Sequence, residues 1–280
     1  MQISKLINKG SKKLKSNDIL SHQLDSELII SKILNKNREQ IIVNSELEVS
    51  KKIIQSFNEL IERRMLKEPI AYILQKKEFW SKNFFVNRNT LIPRPETELL
   101  AEKTINILGD KKLLVLDIGT GSGCILLSIL LEAKNCKGIG IDISKKAIEV
   151  ARKNSKKLNL ESRTKFYVKS LNKIVGRKFD LIVSNPPYIP TSELKSLSDD
   201  IKRFEPKIAL DGGNDGLDVI KKVIYKSTKI LKKKGTLALE VGNGQYKKVS
   251  QILKYQGFRE QFLVKDYHNN IRCVLAVFEN

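Results

Sequence analysis

The chain has 280 residues, a hydrophobic fraction of 41% and a formal net charge of +21. This length suits one large domain or a medium domain with a small companion, and the apolar fraction is sufficient for a packed core, which argues against general disorder. No apolar run is long enough for a membrane span, and the N-terminal segment lacks the apolar stretch and cleavage site of a secretory signal. We therefore expect a cytoplasmic protein without a membrane anchor.

The cysteine and lysine content indicates the redox compartment of the protein and the kind of partner that its charge would attract. Three separated cysteines, Cys124, Cys136 and Cys273, fit a reducing compartment better than a disulfide framework, and with only two histidines no metal site is predicted. Of the 52 basic residues 41 are lysine, and no cluster of arginine with aromatic residues accompanies them. The charge therefore indicates solvated helix faces, with affinity for RNA or other acidic partners left as the alternative.

The N-terminal quarter of the chain, residues 1–75, is predicted to be a small helical bundle. Apolar residues recur there at helical spacing, as at Leu20, Leu24 and Leu28, and no β-rich run interrupts the pattern. Pro69 is expected to end the last of these helices.

Beyond the bundle, a short strand pair is predicted between Glu78 and Ile92, followed by a helix that runs to about Ile107. Strands and helices then alternate, which predicts a parallel sheet with helices on both faces. The predicted strands are 113–117, 138–142, 165–169, 179–184 and 236–241, followed by an antiparallel pair at 258–265 and 273–278. Three helices are predicted in this part: one begins at Ile125, and the other two span 145–158 and 217–231.

The most informative segment is Ser184–Ile189, which reads Ser-Asn-Pro-Pro-Tyr-Ile directly after a strand. Two adjacent prolines cannot continue a sheet ladder, so the strand is expected to end at Asn185, at the edge where open α/β sheets bind ligands. A side-chain amide oxygen and a proline carbonyl can accept the two protons of a planar NH2 group, while an aromatic ring covers its face. The turn therefore favours chemistry on an amino or amide nitrogen.

A glycine-rich turn, Asp117–Gly123, follows the first buried strand and reads Asp-Ile-Gly-Thr-Gly-Ser-Gly. Its glycines allow the backbone to approach a ligand closely, but their spacing fits neither a dinucleotide fingerprint nor a P-loop. Asp142 ends the second strand, where a carboxylate can accept both hydroxyls of a ribose. The alternative for Asp142 is a cap of the helix that begins near Ser144.

Together these motifs resemble those of class I S-adenosylmethionine-dependent methyltransferases, and in particular the branch with an (Asp/Asn/Ser)-Pro-Pro-(Tyr/Phe) turn. Five motifs in order narrow the resemblance: Leu91–Glu98, Asp117–Gly123, Ser184–Ile189, Phe204–Pro206 and Ala209–Gly213. They are similar to those of the HemK-type release factor glutamine methyltransferases, which methylate the glutamine of the GGQ loop in class I peptide chain release factors. The resemblance covers nearly the whole chain.

The resemblance implies an α/β fold with a seven-stranded, mostly parallel sheet and an antiparallel C-terminal strand, preceded by a small helical bundle and a linking β-hairpin. It implies three parts: a helical substrate-binding domain at 1–75, a β-hairpin linker at 76–95 and a methyltransferase domain at 96–280.

S-adenosyl-L-methionine is the cofactor that the resemblance implies. Its methionine part would be surrounded by the glycine-rich turn, that is by Gly119, Thr120, Gly121, Ser122 and Gly123. Asp142 would bind its ribose. The family usually has an acidic residue at the end of the third strand, but this chain has none there. Ser170 would instead contact the adenine amine and Leu171 would form an apolar wall, while Asn185 would contact both cofactor and substrate.

For the acceptor, the resemblance implies that Asn185 and the Pro186 carbonyl take the two protons of the glutamine amide, with Tyr188 packed over the target. Asn185, Pro186 and Tyr188 are thus the expected catalytic residues, and Pro187 completes the substrate-binding set. The alternative is a turn whose asparagine only caps the backbone.

Two further segments have open interpretations. Glu96 and Thr97 lie just before a helix and could cap it, whereas the resemblance places their loop near the cofactor. Phe204–Pro206 is expected to shape the substrate loop.

Several alternatives remain at this stage. A glutamine methyltransferase of a ribosomal protein would share the same turn, and so would a nucleic-acid adenine N6-methyltransferase, although the latter needs a base-flipping and target-recognition region that is not evident. A cofactor-binding protein without catalysis is the third possibility. The expected partner is the GGQ loop of class I release factors, and we expect a monomer with no stable binding to nucleic acid or membrane.

Overall fold

The computed structural model describes residues 1–176 and 178–279. The chain divides into two compact units, one formed by Met1–Lys76 with Ser198–Phe204 and the other by Lys77–Leu197 with the chain from Glu205 onward. None of the helices in the described ranges is both long and apolar enough to cross a membrane.

The first unit is helical, as predicted. Its helices are α1 (Ile3–Lys15), α2 (His22–Leu34), α3 (Arg38–Val43), α4 (Lys51–Met65), α5 (Ile70–Leu74) and, from later in the chain, α9 (Asp199–Phe204). Helices α1, α2 and α4 pack around a core that contains Leu6, Ile29 and Phe57, all fully buried. Apolar residues at helical spacing therefore form one continuous core, which is the main source of stability for such a bundle.

The prediction that Pro69 ends the last helix is wrong. Helix α4 already ends at Met65, and Pro69 is the N-cap of the short helix α5. Proline is tolerated at the beginning of a helix because the N–H that it lacks would have no helical partner there.

The second unit begins with a hairpin of β1 (Lys77–Phe79) and β2 (Lys82–Phe84), which confirms the predicted strand pair although the strands end well before Ile92. The helices that follow are α6 (Thr97–Leu108), α7 (Cys124–Glu132), α8 (Lys145–Lys157), α10 (Asp218–Ile230) and α11 (Tyr246–Tyr255). The strands are β3 (Leu114–Ile118), β4 (Lys137–Asp142), β5 (Thr164–Val168), β6 (Phe179–Ser184), β7 (Leu231–Glu240), β8 (Phe258–Lys265) and β9 (Ile271–Phe278).

These seven strands form one sheet in the order β5-β4-β3-β6-β7-β9-β8. The pairs among β3, β4, β5, β6 and β7 are parallel, and β9 is antiparallel to both of its neighbours. The predicted fold class is confirmed. Two details differ: β7 begins at Leu231, five residues before the predicted start, with an irregular pairing to β6, and α11 is a helix that the sequence analysis did not include.

The order of the strands fixes where a ligand can bind. From β3 the chain continues on one side of the sheet to β4 and β5, and then crosses to β6 on the other side. At such a reversal the loops after adjacent strands separate and open a crevice at the carboxyl edge of the sheet. The glycine-rich turn after β3 and the proline turn after β6 both lie at this point.

Candidate active site

A cavity of about 870 Å³ opens at the carboxyl edge of the parallel strands, within the size range of small-molecule sites. It is lined by residues from each of the loops that sequence analysis singled out. Those among the predicted site residues are Gly119, Gly121, Asp142, Ser170, Leu171, Asn185 and Pro187. The other predicted residues, Thr120, Ser122, Gly123, Pro186 and Tyr188, do not line it.

The glycine-rich turn brings backbone, not side chains, to the cavity. Gly119 and Gly121 have φ values of +73° and +53°, and a Cβ atom built on Gly119 would meet no heavy atom within 4 Å. A side chain there would project into the open space of the cavity. Gly123 serves packing instead, because a Cβ on it would lie 3.1 Å from Leu127 and 3.3 Å from Ala151.

Asp142 lies at the end of β4 and is held by the same turn. Its Oδ2 accepts a hydrogen bond from the Gly121 N–H at 3.0 Å, and its Oδ1 accepts one from the Ser144 N–H at 2.9 Å. Burial raises the pKa of Asp142, and these two hydrogen bonds oppose that shift. The cap of α8 is Ser144, whose Oγ accepts from the Ala147 N–H, so Asp142 retains lone pairs for a ligand.

The third strand end supplies a polar and an apolar group. After β5 the chain passes through Ser170 into a short 3-10 turn that begins at Leu171, and both residues line the cavity. They lie beyond Asp142 along the same edge of the sheet, since β4 and β5 are adjacent.

The proline turn after β6 orients Asn185. Strand β6 ends at Ser184, as the two prolines predicted. The Asn185 Nδ2 donates a hydrogen bond to Thr97 Oγ1 at 3.2 Å. Since that contact occupies the donor end of the amide, Oδ1 is the end that can accept a proton from a ligand.

Thr97 is the first residue of α6 and is only 2% exposed. The interpretation of Glu96 and Thr97 as a helix cap is wrong, because Glu96 occupies the N-cap position without any side-chain capping bond. The Thr97 hydroxyl instead accepts a hydrogen bond from Asn185, the residue predicted to accept a proton from the substrate amide.

Tyr188 is fixed from several directions. Its hydroxyl donates to Glu240 Oε1 at 3.2 Å and accepts from Arg272 Nη2 at 3.3 Å. Its carbonyl oxygen accepts from Gln245 Nε2 at 2.8 Å. Burial raises the pKa of Tyr188 to about 12, so the phenol stays protonated at neutral pH.

Glu205, the central residue of the Phe-Glu-Pro motif, joins two loops. Its buried carboxylate accepts from the Ile92 N–H at 3.0 Å and pairs with the Arg94 guanidinium. The flanking residues Leu91 and Pro206 both line the cavity, so this ion pair fixes one wall of it.

Sequence reasoning did not identify Glu240, Gln245 and Arg272 as parts of this region. Of these three residues, Glu240 is the one that the sequence could have indicated, because an acidic side chain at the last residue of a core strand is unusual. Within the described residues no group of three or more His, Cys, Asp or Glu side chains is arranged to hold a metal ion.

Comparison with known proteins identifies the family of the chain. Residues 5–74 match the family described as PrmC N-terminal domain, and residues 109–261 match the family described as Methyltransferase domain. Over 99% of both chains, the sequence is 40% identical to release factor glutamine methyltransferase from Clostridium acetobutylicum. The protein of the same name from Buchnera aphidicola subsp. Schizaphis graminum is also 40% identical, again over 99% of both chains.

The chain belongs to the release factor glutamine methyltransferase family. The fold of this methyltransferase is also found in a solved structure. A methyltransferase structure from Pyrococcus furiosus matches 78% of this chain and 98% of its own at a TM-score of 0.54 and 17% identity, which supports the fold alone.

Proposed function

We propose that this methyltransferase transfers a methyl group from S-adenosyl-L-methionine to the side-chain amide nitrogen (N5) of the glutamine in the GGQ motif of class I peptide chain release factors. The observation that carries the proposal is the orientation of Asn185, whose NH2 group is held by Thr97 and whose Oδ1 is left to accept from a planar NH2 group at the cavity. The full-length similarity to proteins named release factor glutamine methyltransferase supports the choice of acceptor.

The residues at the cavity fit this cofactor. The bare backbone at Gly119 and Gly121 would bind its methionine part, together with Thr120, Ser122 and Gly123 of the same turn. Asp142 would accept the ribose hydroxyls, and Ser170 and Leu171 would contact the adenine. When bound, S-adenosyl-L-methionine supplies the methyl group as an electrophile on a positively charged sulfur.

The proline turn would prepare the acceptor nitrogen. An amide nitrogen is a weak nucleophile because its lone pair is delocalised into the carbonyl group. Asn185 Oδ1 and the Pro186 carbonyl would accept its two protons, fix its plane and favour the geometry that exposes the lone pair. The nitrogen would gain the methyl group while the methyl–sulfur bond breaks, and it would lose one of its protons to solvent, so the turn needs no histidine base.

The other residues of the turn would position the substrate. Pro187 lines the cavity and would limit where the target side chain lies. Tyr188 remains neutral at physiological pH and would hold the turn, and with it the target side chain, through its hydroxyl and carbonyl contacts.

We propose that residues 1–75 form a substrate-binding domain, with 76–95 as a β-hairpin linker and 96–280 as the methyltransferase domain. The match of residues 5–74 to the PrmC N-terminal domain supports this division. We further infer that the protein works in the cytoplasm as a monomer, with no stable binding to nucleic acid.

Labelling with tritiated S-adenosyl-L-methionine tests the proposed function. The purified chain is incubated in parallel with a class I release factor, its GGQ Gln→Ala variant, purified ribosomal proteins and adenine-rich DNA. Label on the release factor that disappears in the Gln→Ala variant is the expected result. Label on ribosomal proteins or DNA but not on the release factor would overturn the proposal.

A further inference from the structure

Asn154 is a buried residue of α8 whose side-chain amide lies between the glycine-rich turn and the chain that follows β2. It is fully buried. Burying an amide is costly unless its donors and its acceptor find hydrogen-bond partners. The amide of Asn154 has three such partners, and all of them are backbone groups outside α8. Its hydrogen bonds therefore join separate segments of the chain to the helix.

Two of these hydrogen bonds hold the segment that follows the hairpin. Asn154 Oδ1 accepts from the Phe85 N–H at 2.7 Å, and Nδ2 donates to the Phe85 carbonyl at 3.0 Å. The Lys153 Nζ lies 3.4 Å from the centre of the Phe85 ring. One turn further along α8, the Lys157 Nζ donates to the Asn83 carbonyl at 2.7 Å. Phe85 is thus held against α8 by its backbone and by its ring.

The third hydrogen bond reaches the glycine-rich turn. Asn154 Nδ2 donates to the Ser122 carbonyl at 2.9 Å. On the other edge of the same peptide bond, the Gly123 N–H donates to the Thr120 carbonyl at 2.8 Å. A peptide group is planar, so bonds at both of its edges fix the rotation of the whole plane. The peptide between Ser122 and Gly123 is therefore held in one orientation.

The three contacts together need an amide at this position of α8. The two N–H bonds of Nδ2 go to the carbonyl oxygens of Phe85 and Ser122, and Oδ1 faces the Phe85 N–H. A rotated amide would place its oxygen against carbonyl oxygens and its NH2 group against an N–H. A carboxylate of the same shape would keep the acceptor but lose both donors. The orientation of the Asn154 side chain is therefore fixed by its partners.

We propose that Asn154 is a positioning residue for the cofactor, which holds the peptide between Ser122 and Gly123 so that the glycine-rich turn has its binding shape before S-adenosyl-L-methionine binds. This inference rests on the proposed role of the turn in binding the methionine part of the cofactor. Gly119 and Gly121 line the cavity, and glycine loses more conformational freedom on ordering than any other residue. A turn that is already held loses less freedom when the ligand binds, which raises the affinity.

Two neighbouring alanine substitutions in α8 test the inference. Asn154→Ala removes all three hydrogen bonds. Ser155→Ala is the matched control, because the buried Ser155 hydroxyl bonds to the Thr164 hydroxyl of β5 at 2.7 Å and not to the turn. Titration calorimetry should show a dissociation constant for S-adenosyl-L-methionine that rises about tenfold or more in Asn154→Ala and stays within about twofold in Ser155→Ala, since one net hydrogen bond corresponds to about a tenfold change in an equilibrium constant.

Two further variants separate the turn from the hairpin. Asn154→Asp retains an oxygen for the Phe85 N–H but, as a carboxylate, has no proton for the Ser122 carbonyl, so it should weaken cofactor binding as Asn154→Ala does. Lys157→Met removes the bond to Asn83 and leaves the turn unchanged. Its dissociation constant for the cofactor should stay within about twofold of wild type, because the lost bond is exposed and exposed single substitutions have small effects.

Amide hydrogen exchange of the cofactor-free chain measures the turn itself, without any catalysis. The Gly123 N–H, which is bonded to Thr120, should be protected in the wild type. It should exchange about tenfold faster or more in Asn154→Ala and at the wild-type rate in Ser155→Ala, because the Ser155 contact lies outside the turn. A purely structural role of Asn154 would raise exchange throughout the methyltransferase unit instead of mainly in the turn.

The inference is overturned if Asn154→Ala and Asn154→Asp bind the cofactor as tightly as the wild type, or if Ser155→Ala or Lys157→Met loses as much affinity as Asn154→Ala. If the Asn154 variants do not fold, the wild type decides, since a Gly123 N–H that exchanges freely until the cofactor is added contradicts a turn that is held in advance. A wild-type chain that binds the cofactor but labels no release factor would refute the proposed function. The binding and exchange measurements use no release factor, so they would still decide the role of Asn154.

Discussion

Asp117 gives the methyltransferase unit a specific dependence on pH. This residue of β3 is fully buried, its Oδ2 accepts from the Thr120 hydroxyl at 2.6 Å, and its Oδ1 has no hydrogen-bond partner in the described chain. Burial raises the pKa of Asp117 to about 7, with the hydrogen bond from Thr120 opposing the shift and the charge of Asp142 adding to it. The folded protein therefore retains a proton on Asp117 where an unfolded chain does not.

The sign and size of the effect follow from the two pKa values. An aspartate in an unfolded chain has a pKa near 3.9. Below that value Asp117 is protonated in both states, so its contribution to stability is fully present there and is lost as the pH rises toward 7. Each pH unit between the two values costs about 1.4 kcal/mol, so raising the pH from 5 to 7 should remove up to about 3 kcal/mol.

Asp117→Asn removes this titration while retaining an oxygen that can accept from Thr120. We would measure the free energy of unfolding of both proteins in urea at pH 5, 6, 7 and 8, because steps of about 1 unit cover the range in which Asp117 titrates. The fluorescence of Trp80 reports on the unfolding of the methyltransferase unit, since Trp80 is the single tryptophan of the chain and lies in the same unit as Asp117.

The wild type should lose stability relative to Asp117→Asn as the pH rises, because all other titrating groups are common to both proteins. Parallel profiles would contradict a raised pKa of Asp117, and so would a wild type that gains stability over the variant with rising pH.

Three further predictions test other parts of the structure. Asn185→Ala should lower kcat by about 10²-fold or more while cofactor affinity by calorimetry stays within a few-fold, and loss of cofactor binding would make Asn185 mainly a cofactor ligand. Gly119→Ala should weaken cofactor binding because the added Cβ enters the cavity. Gly244→Ala is the control and should not weaken it, since Gly244 has a φ of +74°, nearly equal to the +73° of Gly119, but does not line the cavity. Equal cofactor binding by both variants would contradict the role of the turn. Arg64→Leu should destabilise the helical unit by about 3–5 kcal/mol in thermal unfolding, because the buried carboxylate of Asp25 loses its charged partner at 2.7 Å and keeps the neutral Ser21 hydroxyl at 2.8 Å. An unchanged melting curve would count against that ion pair.

The sheet and its ligand-binding edge could be predicted because their signals are local. Buried strands are short apolar runs, and a strand that meets two prolines must end, so Asn185 and Asp142 could be placed at strand ends before the structure was known. Parallel strands then bring those ends to one edge.

The contacts that orient the proline turn could not be predicted in this way. The residues that make these contacts lie in different elements: Thr97 in α6, Asn185 directly after β6 and Glu240 in β7. Arg272, which lies close to Glu240, belongs to β9. No periodicity or spacing along the chain relates these positions. Thr97 also has the residue type of a helix cap, so the local sequence could suggest a cap there but not its hydrogen bond with Asn185.

The position of the methyl group on the product decides whether the GGQ glutamine is the acceptor. A class I release factor treated with the chain and S-adenosyl-L-methionine is digested, and tandem mass spectrometry is used to assign the modified residue. We predict one added methyl group on the side-chain amide of the GGQ glutamine, present with the wild-type chain and lost with Asn185→Ala. A methyl group on a different residue, or an unmodified release factor, would contradict it.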